Sequence, residues 1–142
     1  MKSVKIVIDA SIAAKWFLEE EHAAESLRLT EPAYDLLAPE LLWVEVAAAL
    51  RRRLRRGQMP LVTFNKAILD LLNVDVTSMA VTPLVRRATR FAVLLDHGVY
   101  DCIYLALAAA EGCQLATADR RLHDKVERSK FAKLTLWIGD VP

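Results

Sequence analysis

Val4-Lys5-Ile6-Val7-Ile8-Asp9-Ala10-Ser11 decides how this chain folds. From Lys2 to Ile8 apolar and polar residues alternate, which is the pattern of a β-strand. Asp9-Ala10-Ser11 then supplies capping chemistry for a short helix over Ile12 to Leu18. Near the other end, Gln114 to Thr117 reads as a strand, Asp119 as an N-cap and Arg120 to Glu127 as a helix, so this segment has the same order. Asp9 and Asp119 both follow predicted strands directly.

The stretches between follow the same logic. His22 to Leu29 is helical and ends near Pro32, and Leu36-Leu37-Ala38 is a short strand. Glu40 to Arg56 is a long helix stopped by Gly57 at the C′ position. Pro60 to Leu72 is helical, and the β-branched Val74 to Met79 makes a third strand. Thr82-Pro83 reads as an N-cap with proline at N1, opening a helix to about Leu94. Tyr100 to Glu111 is the next helix, with Gly112 at C′, and Leu134 to Ile138 adds a last strand. Short strands alternating with helices imply an α/β protein with a mainly parallel central sheet. No repeat, low-complexity segment or linker divides residues 1–142, so one domain is expected. In such sheets ligands bind beyond the carboxyl ends of the strands, which is where Asp9 and Asp119 would lie.

Composition agrees with a well-packed soluble chain: 54% of its 142 residues are hydrophobic and 26% charged. Glu45 and Arg51 interrupt the longest apolar run before it reaches the roughly eighteen residues needed to cross a bilayer. The start, Met1-Lys2-Ser3-Val4-Lys5, leads into a strand and lacks the apolar core of a signal peptide. The two cysteines, Cys102 and Cys113, look like small core residues of one apolar helix and make no disulfide framework. A cytoplasmic location is therefore expected. A net charge of +1 neither demands nor excludes nucleic acid. Its distribution is uneven, with an acidic Glu19-Glu20-Glu21 against basic Arg51-Arg52-Arg53-Leu54-Arg55-Arg56 and Arg86-Arg87-Ala88-Thr89-Arg90. The first basic run can complement a helix dipole, contact phosphates, or do both.

Four acids sit where an acid is locally expensive. Glu45 has Leu41, Leu42, Ala48 and Ala49 as its helical neighbours, and so occupies an apolar stripe. A buried basic partner would excuse it, and only Arg52, two turns away, is a marginal candidate. Asp101 faces Tyr104, Leu105 and Ala108, although an acid in a first helical turn is also favoured by the dipole. Asp9 and Asp119 each have a plain role as N-caps, worth about 1 kcal/mol. The set is more telling than its members. Unpaired buried carboxylates shift their pKa or need a cation, and carboxylate oxygens suit Mg²⁺ and Mn²⁺. His22, His97 and His123 show no paired-ligand spacing, so a zinc site is not expected. His97 and His123 read as surface or turn residues without chemistry.

At these residues the chain resembles the PIN-domain family, and within it the VapC-type ribonuclease toxins of toxin–antitoxin pairs. The matching segments are Val7-Ile8-Asp9-Ala10-Ser11, Glu45 in its apolar helix, Tyr100 to Ala108, and Leu115 to Leu122. They run in the family's order, and none of the four acids departs from its pattern. The resemblance implies an α/β/α sandwich and a Mg²⁺- or Mn²⁺-dependent endoribonuclease, a homodimer inhibited by a cognate antitoxin. It implies that Asp9 and Asp101 are the principal metal-binding acids, with Glu45 and Asp119 completing the site. Ser11 and Thr117 match hydroxyl positions that support the acids by orienting a ligand or hydrogen-bonding a phosphate. Arg52 and Arg56, on roughly Glu45's helix face, are the candidates for contacting flanking RNA phosphates.

Other classes fit less well. A phosphatase of the aspartyl-phosphate kind would carry a second aspartate where Ser11 stands, and a receiver domain would want paired acids and a late lysine. A PIN nuclease for structured DNA usually has helical additions that a chain of this length lacks. A degenerate PIN module that only binds RNA or a partner protein is the non-enzyme alternative, and retention of all four acids speaks against it.

Overall fold

The computed structural model describes residues 2–142; Met1 of the expected 1–142 domain lies outside them. The first strand, β1 (Val4–Ile8), is not half-buried as simple alternation would have it. Ile6, Val7 and Ile8 are all buried. The reason is its place: β1 is the middle of a five-stranded sheet ordered β3-β2-β1-β4-β5, with helices over both faces. The other strands are β2 (Tyr34–Pro39), β3 (Thr77–Met79), β4 (Gln114–Thr117) and β5 (Thr135–Trp137). Every pairing is parallel, and Val7 lies opposite Leu37 of β2 and Leu115 of β4. The expected mainly parallel α/β sheet is thus wholly parallel.

Strand order reverses direction at β1. The chain steps outward through β2 to β3, then crosses back to β4 on the other side of β1. Right-handed crossovers put the helices of the two halves on opposite faces, giving the three layers. One set is α1 (Ala10–Ala13), α2 (Ala23–Arg28), α3 (Leu41–Arg55) and α4 (Leu61–Leu72); the other is α5 (Val85–Leu95), α6 (Val99–Glu111) and α7 (Arg120–Glu127). The point between β1 and β4 is therefore a topological switch, the place where open parallel sheets bind ligands.

Helix sequences explain their placement. In α3, Leu42, Val46 and Leu50 recur every four residues and form its buried stripe. In α6, every residue from Cys102 to Ala108 is buried, because this helix packs on β1, β2 and β4 and also against α5. Gly57 and Gly112 sit past their helices at φ +70° and +64°, the left-handed geometry expected of a C′ glycine.

Several boundaries moved. The helix expected over Ile12–Leu18 begins earlier, as α1, and tightens into a 3₁₀ turn at Ala14–Trp16. The third strand keeps only Thr77–Met79, since Val76 N–H bonds the Val74 carbonyl in a tight turn. Thr82 does not cap with its side chain; Thr82–Leu84 forms a 3₁₀ turn leading into α5. Among the described residues no single helix is long and apolar enough to cross a membrane.

Candidate active site

The carboxyl end of β1 delivers Asp9 into a nearly closed environment, with only 6% of the residue exposed. Its carboxylate is held from three directions. Oδ1 accepts from Ser11 Oγ at 2.5 Å and from the Ile12 amide at 3.1 Å, and Oδ2 accepts from Thr117 Oγ1 at 2.5 Å. The capping role read from sequence is real, but it uses only part of the group. Burial still outweighs these bonds and, with a smaller push from the Asp101 charge, lifts the Asp9 pKa from 3.8 to about 6. A carboxylate held that high gains from a nearby cation.

Ser11 and Thr117 join the two strand ends into one unit. Besides donating to Asp9, Ser11 Oγ accepts the Ala118 amide at 3.0 Å, and Thr117 Oγ1 accepts the Asp119 amide at 3.0 Å. Asp119 in turn caps α7 by accepting the Leu122 amide at 3.2 Å. The loops after β1 and β4 therefore share one hydrogen-bond network across the switch point.

Glu45 enters from α3, half-buried. Its partner is not Arg52 but Tyr104 of α6, whose hydroxyl donates to Glu45 Oε1 at 2.6 Å. Burial raises the Glu45 pKa and the Asp101 charge adds to the rise, while the Tyr104 bond and Arg52 oppose it. Tyr104 is correspondingly pushed far above an ordinary phenol by burial and by the Glu45 contact. Asp101 lies in the first turn of α6, with 41% of its side chain exposed.

One residue was missed. His97, expected to be a surface or turn residue without chemistry, does sit in the α5–α6 turn, but its side chain is only 7% exposed. Its Nε2 lies 2.7 Å from Asp101 Oδ2. His97, Asp101 and Asp119 each offer a ligand atom, all within 4.8 Å of one another, in a cleft of about 390 Å³ also lined by Arg121. The four-residue spacing from His97 to Asp101 was the available signal, hidden because Gly98 breaks the helix between them. His123 is half-buried and meets Thr135 Oγ1 at 2.8 Å, away from the acids.

A second cleft of about 430 Å³ opens between α1 and α3, lined at one end by Ser11, Glu45 and Ala118 and at the other by Lys15, Arg52 and Arg56. Arg53 also lines it, and Lys15 and Arg53 clasp Glu20, at 3.0 and 2.6 Å. Part of the acidic run thus neutralises part of the basic run, which leaves Arg52 and Arg56 as exposed cations of this cleft. The larger cavity, about 610 Å³, lies between α5 and the segment before β5, with Phe91 and Phe131 in its walls and Arg87 and Arg90 at its rim. None of the four acids reaches it.

The comparisons with known proteins agree with this geometry. The family profile described as PIN domain matches residues 6–128. Ribonuclease VapC3 of Pyrobaculum aerophilum is 33% identical over 134 residues, covering 86% of this chain and 95% of that protein. The crystal structure of PAE2754 from Pyrobaculum aerophilum superimposes with a TM-score of 0.71 at 23% identity, covering 96% of this chain and 85% of that one. A toxin–antitoxin complex from Klebsiella pneumoniae contains a chain with the same fold, at a TM-score of 0.62 and 14% identity, with 92% and 95% covered.

Proposed function

This chain belongs to the PIN-domain family, and we propose on that premise that it is a divalent-metal-dependent endoribonuclease acting as the toxin of a toxin–antitoxin pair. The observation that supports the reading is the cluster of His97, Asp101 and Asp119, with an Asp101 charge that also acts on Asp9 and Glu45, in a chain one-third identical to a ribonuclease.

Most of the donor set fits a hard cation: the Asp101 charge raises the pKa of both Asp9 and Glu45, and Asp9 is buried and raised to about 6. Asp9, Asp101, Asp119 and Glu45 are the residues that would hold Mg²⁺ or Mn²⁺. When bound, such an ion supplies an activated water at neutral pH and offsets charge on the scissile phosphate. The chain's own residues do the rest. Ser11 and Thr117 hold the Asp9 carboxylate through both of its oxygens. Glu45, its pKa raised and its Oε1 anchored by Tyr104, is placed to take a proton from an attacking water. Arg52 and Arg56 line the cleft that leads away from Glu45, and there they bind flanking phosphates of single-stranded RNA.

Partners follow from the same reading. The fold likeness to a chain of a toxin–antitoxin complex supports an antitoxin partner here. The exposed apolar Val93, Leu94, Val99 and Tyr100, beside the α5–α6 turn, suit a homodimer contact next to the site. Free thiols at Cys102 and Cys113 suit a reducing cytoplasm.

The deciding experiment maps cleavage sites on total cellular RNA after brief expression of wild type and Asp9→Asn, with purified protein assayed in Mn²⁺ and in EDTA. Cuts that need both Asp9 and the metal are expected. Equal cutting by Asp9→Asn, or cutting in EDTA, overturns the reading.

A further inference from the structure

His97 reaches the acidic cleft from the α5–α6 turn, and that turn is fixed at several points. Asp96 closes α5 in the left-handed conformation at φ 50°, and the His97 amide returns to the Ala92 carbonyl at 3.1 Å. Lys125, on the helix that Asp119 caps, donates to the Asp96 carbonyl, which ties the elements bearing His97 and Asp119 together. Gly98 then restarts the chain in extended geometry as the N-cap of α6. The result is a buried imidazole aimed at Asp101 Oδ2 from 2.7 Å. Among the described residues, Asp101 has no other side-chain hydrogen bond.

We propose that His97 is a positioning residue for divalent-cation binding: its Nε2–H donates to Asp101 Oδ2 and holds that carboxylate within ligating range of Asp119. An acid as open as Asp101, left alone, samples several rotamers, from which a cation must select one. A buried donor on a fixed turn removes that choice before the ion arrives. The role needs only a proton on Nε2, which both the imidazolium and one neutral tautomer carry. The inference rests on the reading of the cleft as a divalent-cation site.

The test measures metal binding to the whole protein without RNA. Metal-free protein is titrated with Mn²⁺, following the signal of free Mn²⁺ by electron paramagnetic resonance, and with Mg²⁺ by calorimetry. Wild type is compared with Asp101→Asn, His97→Ala and His97→Gln. Partners that orient metal ligands are typically worth 10–100-fold in affinity, so His97→Ala is expected to weaken both ions by about tenfold or more and in like proportion. His97→Gln, whose amide nitrogen can reach the same oxygen, is expected to recover most of that loss. If His97→Ala fails to fold in a thermal melt, His97→Met fills the space without a donor and carries the same expectation.

Wild-type affinity in the donor-free variants, with binding abolished in Asp101→Asn, overturns the role of His97 and leaves the cation site standing. A loss confined to Mn²⁺ overturns it differently, since imidazole as a direct ligand favours the transition metal. No binding of either ion to wild type overturns the cation site and this inference with it.

Discussion

Tyr104 Oη donates to Glu45 Oε1 across 2.6 Å, joining α6 to α3 over a separation of 59 residues. The bond ties the helix that carries Asp101 to the helix that carries Glu45, so two of the four acids share a mechanical link. It also favours the charged form of Glu45 against the pull of burial. Removing the hydroxyl by Tyr104→Phe raises the Glu45 pKa further. The acidic limb of the activity profile is expected to move to higher pH, with a stability loss of about 1 kcal/mol for the lost bond. A pH series of RNA cleavage from pH 5 to 8 checks this, and an unmoved limb removes Glu45 from the rate-determining ionisations.

Asp9 makes the metal-free protein sensitive to pH in a direction opposite to ordinary acid denaturation. Unfolded, it releases its proton near 3.8; folded, near 6. Between those values the folded state binds more protons, so stability falls as pH rises. The contribution of about 3 kcal/mol is fully present below about pH 4 and gone above about pH 6. Urea unfolding in EDTA across pH 4 to 7 should show this decline in wild type and lack it in Asp9→Asn, which remains folded and inactive. Saturating Mn²⁺ should restore stability above pH 6 in wild type only.

Thr117 serves two acids at once, donating to Asp9 Oδ2 and accepting the Asp119 amide. Thr117→Val keeps the shape and leaves Asp9 Oδ2 and the Asp119 amide without that partner. Each buried orphan costs about 1–3 kcal/mol, so the variant should melt well below wild type, and Thr117→Ser should sit close to it. Equal melting temperatures for all three proteins would show that the network carries no stability.

How much of this could be read in the sequence depended on range. All five strands, the caps at Asp9 and Asp119 and the terminating glycines Gly57 and Gly112 are matters of nearest neighbours, and they were legible. Asp9 and Asp119 could be expected at one edge because a parallel sheet puts strand ends together. The Tyr104–Glu45 bond, the Glu20 clasp and the His97–Asp101 bond were not legible. Each depends on how separate elements pack or on the angle of a turn, which periodicity does not encode. The long central strand pattern also misled, since alternation says nothing about whether a second face will be covered.

Arg52 and Arg56 should act on binding and not on chemistry. Their double alanine variant is expected to raise KM several-fold with kcat unchanged. It should also flatten the slope of log affinity against log salt by roughly 0.7 per lost phosphate contact on single-stranded RNA. Binding measured by fluorescence anisotropy from 50 to 300 mM salt is the check; a lower kcat at unchanged KM would place them at the reacting phosphate instead. Glu20→Gln should do the reverse, tightening RNA by releasing Lys15 and Arg53.

The pairing of β1 with β4 carries a consequence for synthesis. In order of synthesis, Thr117, which holds Asp9, and Asp119, its neighbour across the switch, come more than a hundred residues after it. Until the ribosome has released β4, β1 can pair only with β2, and Asp9 lacks its Thr117 bond. The pairing of β1 with β4 thus makes the Asp9 network one of the last parts of the sheet that synthesis can complete.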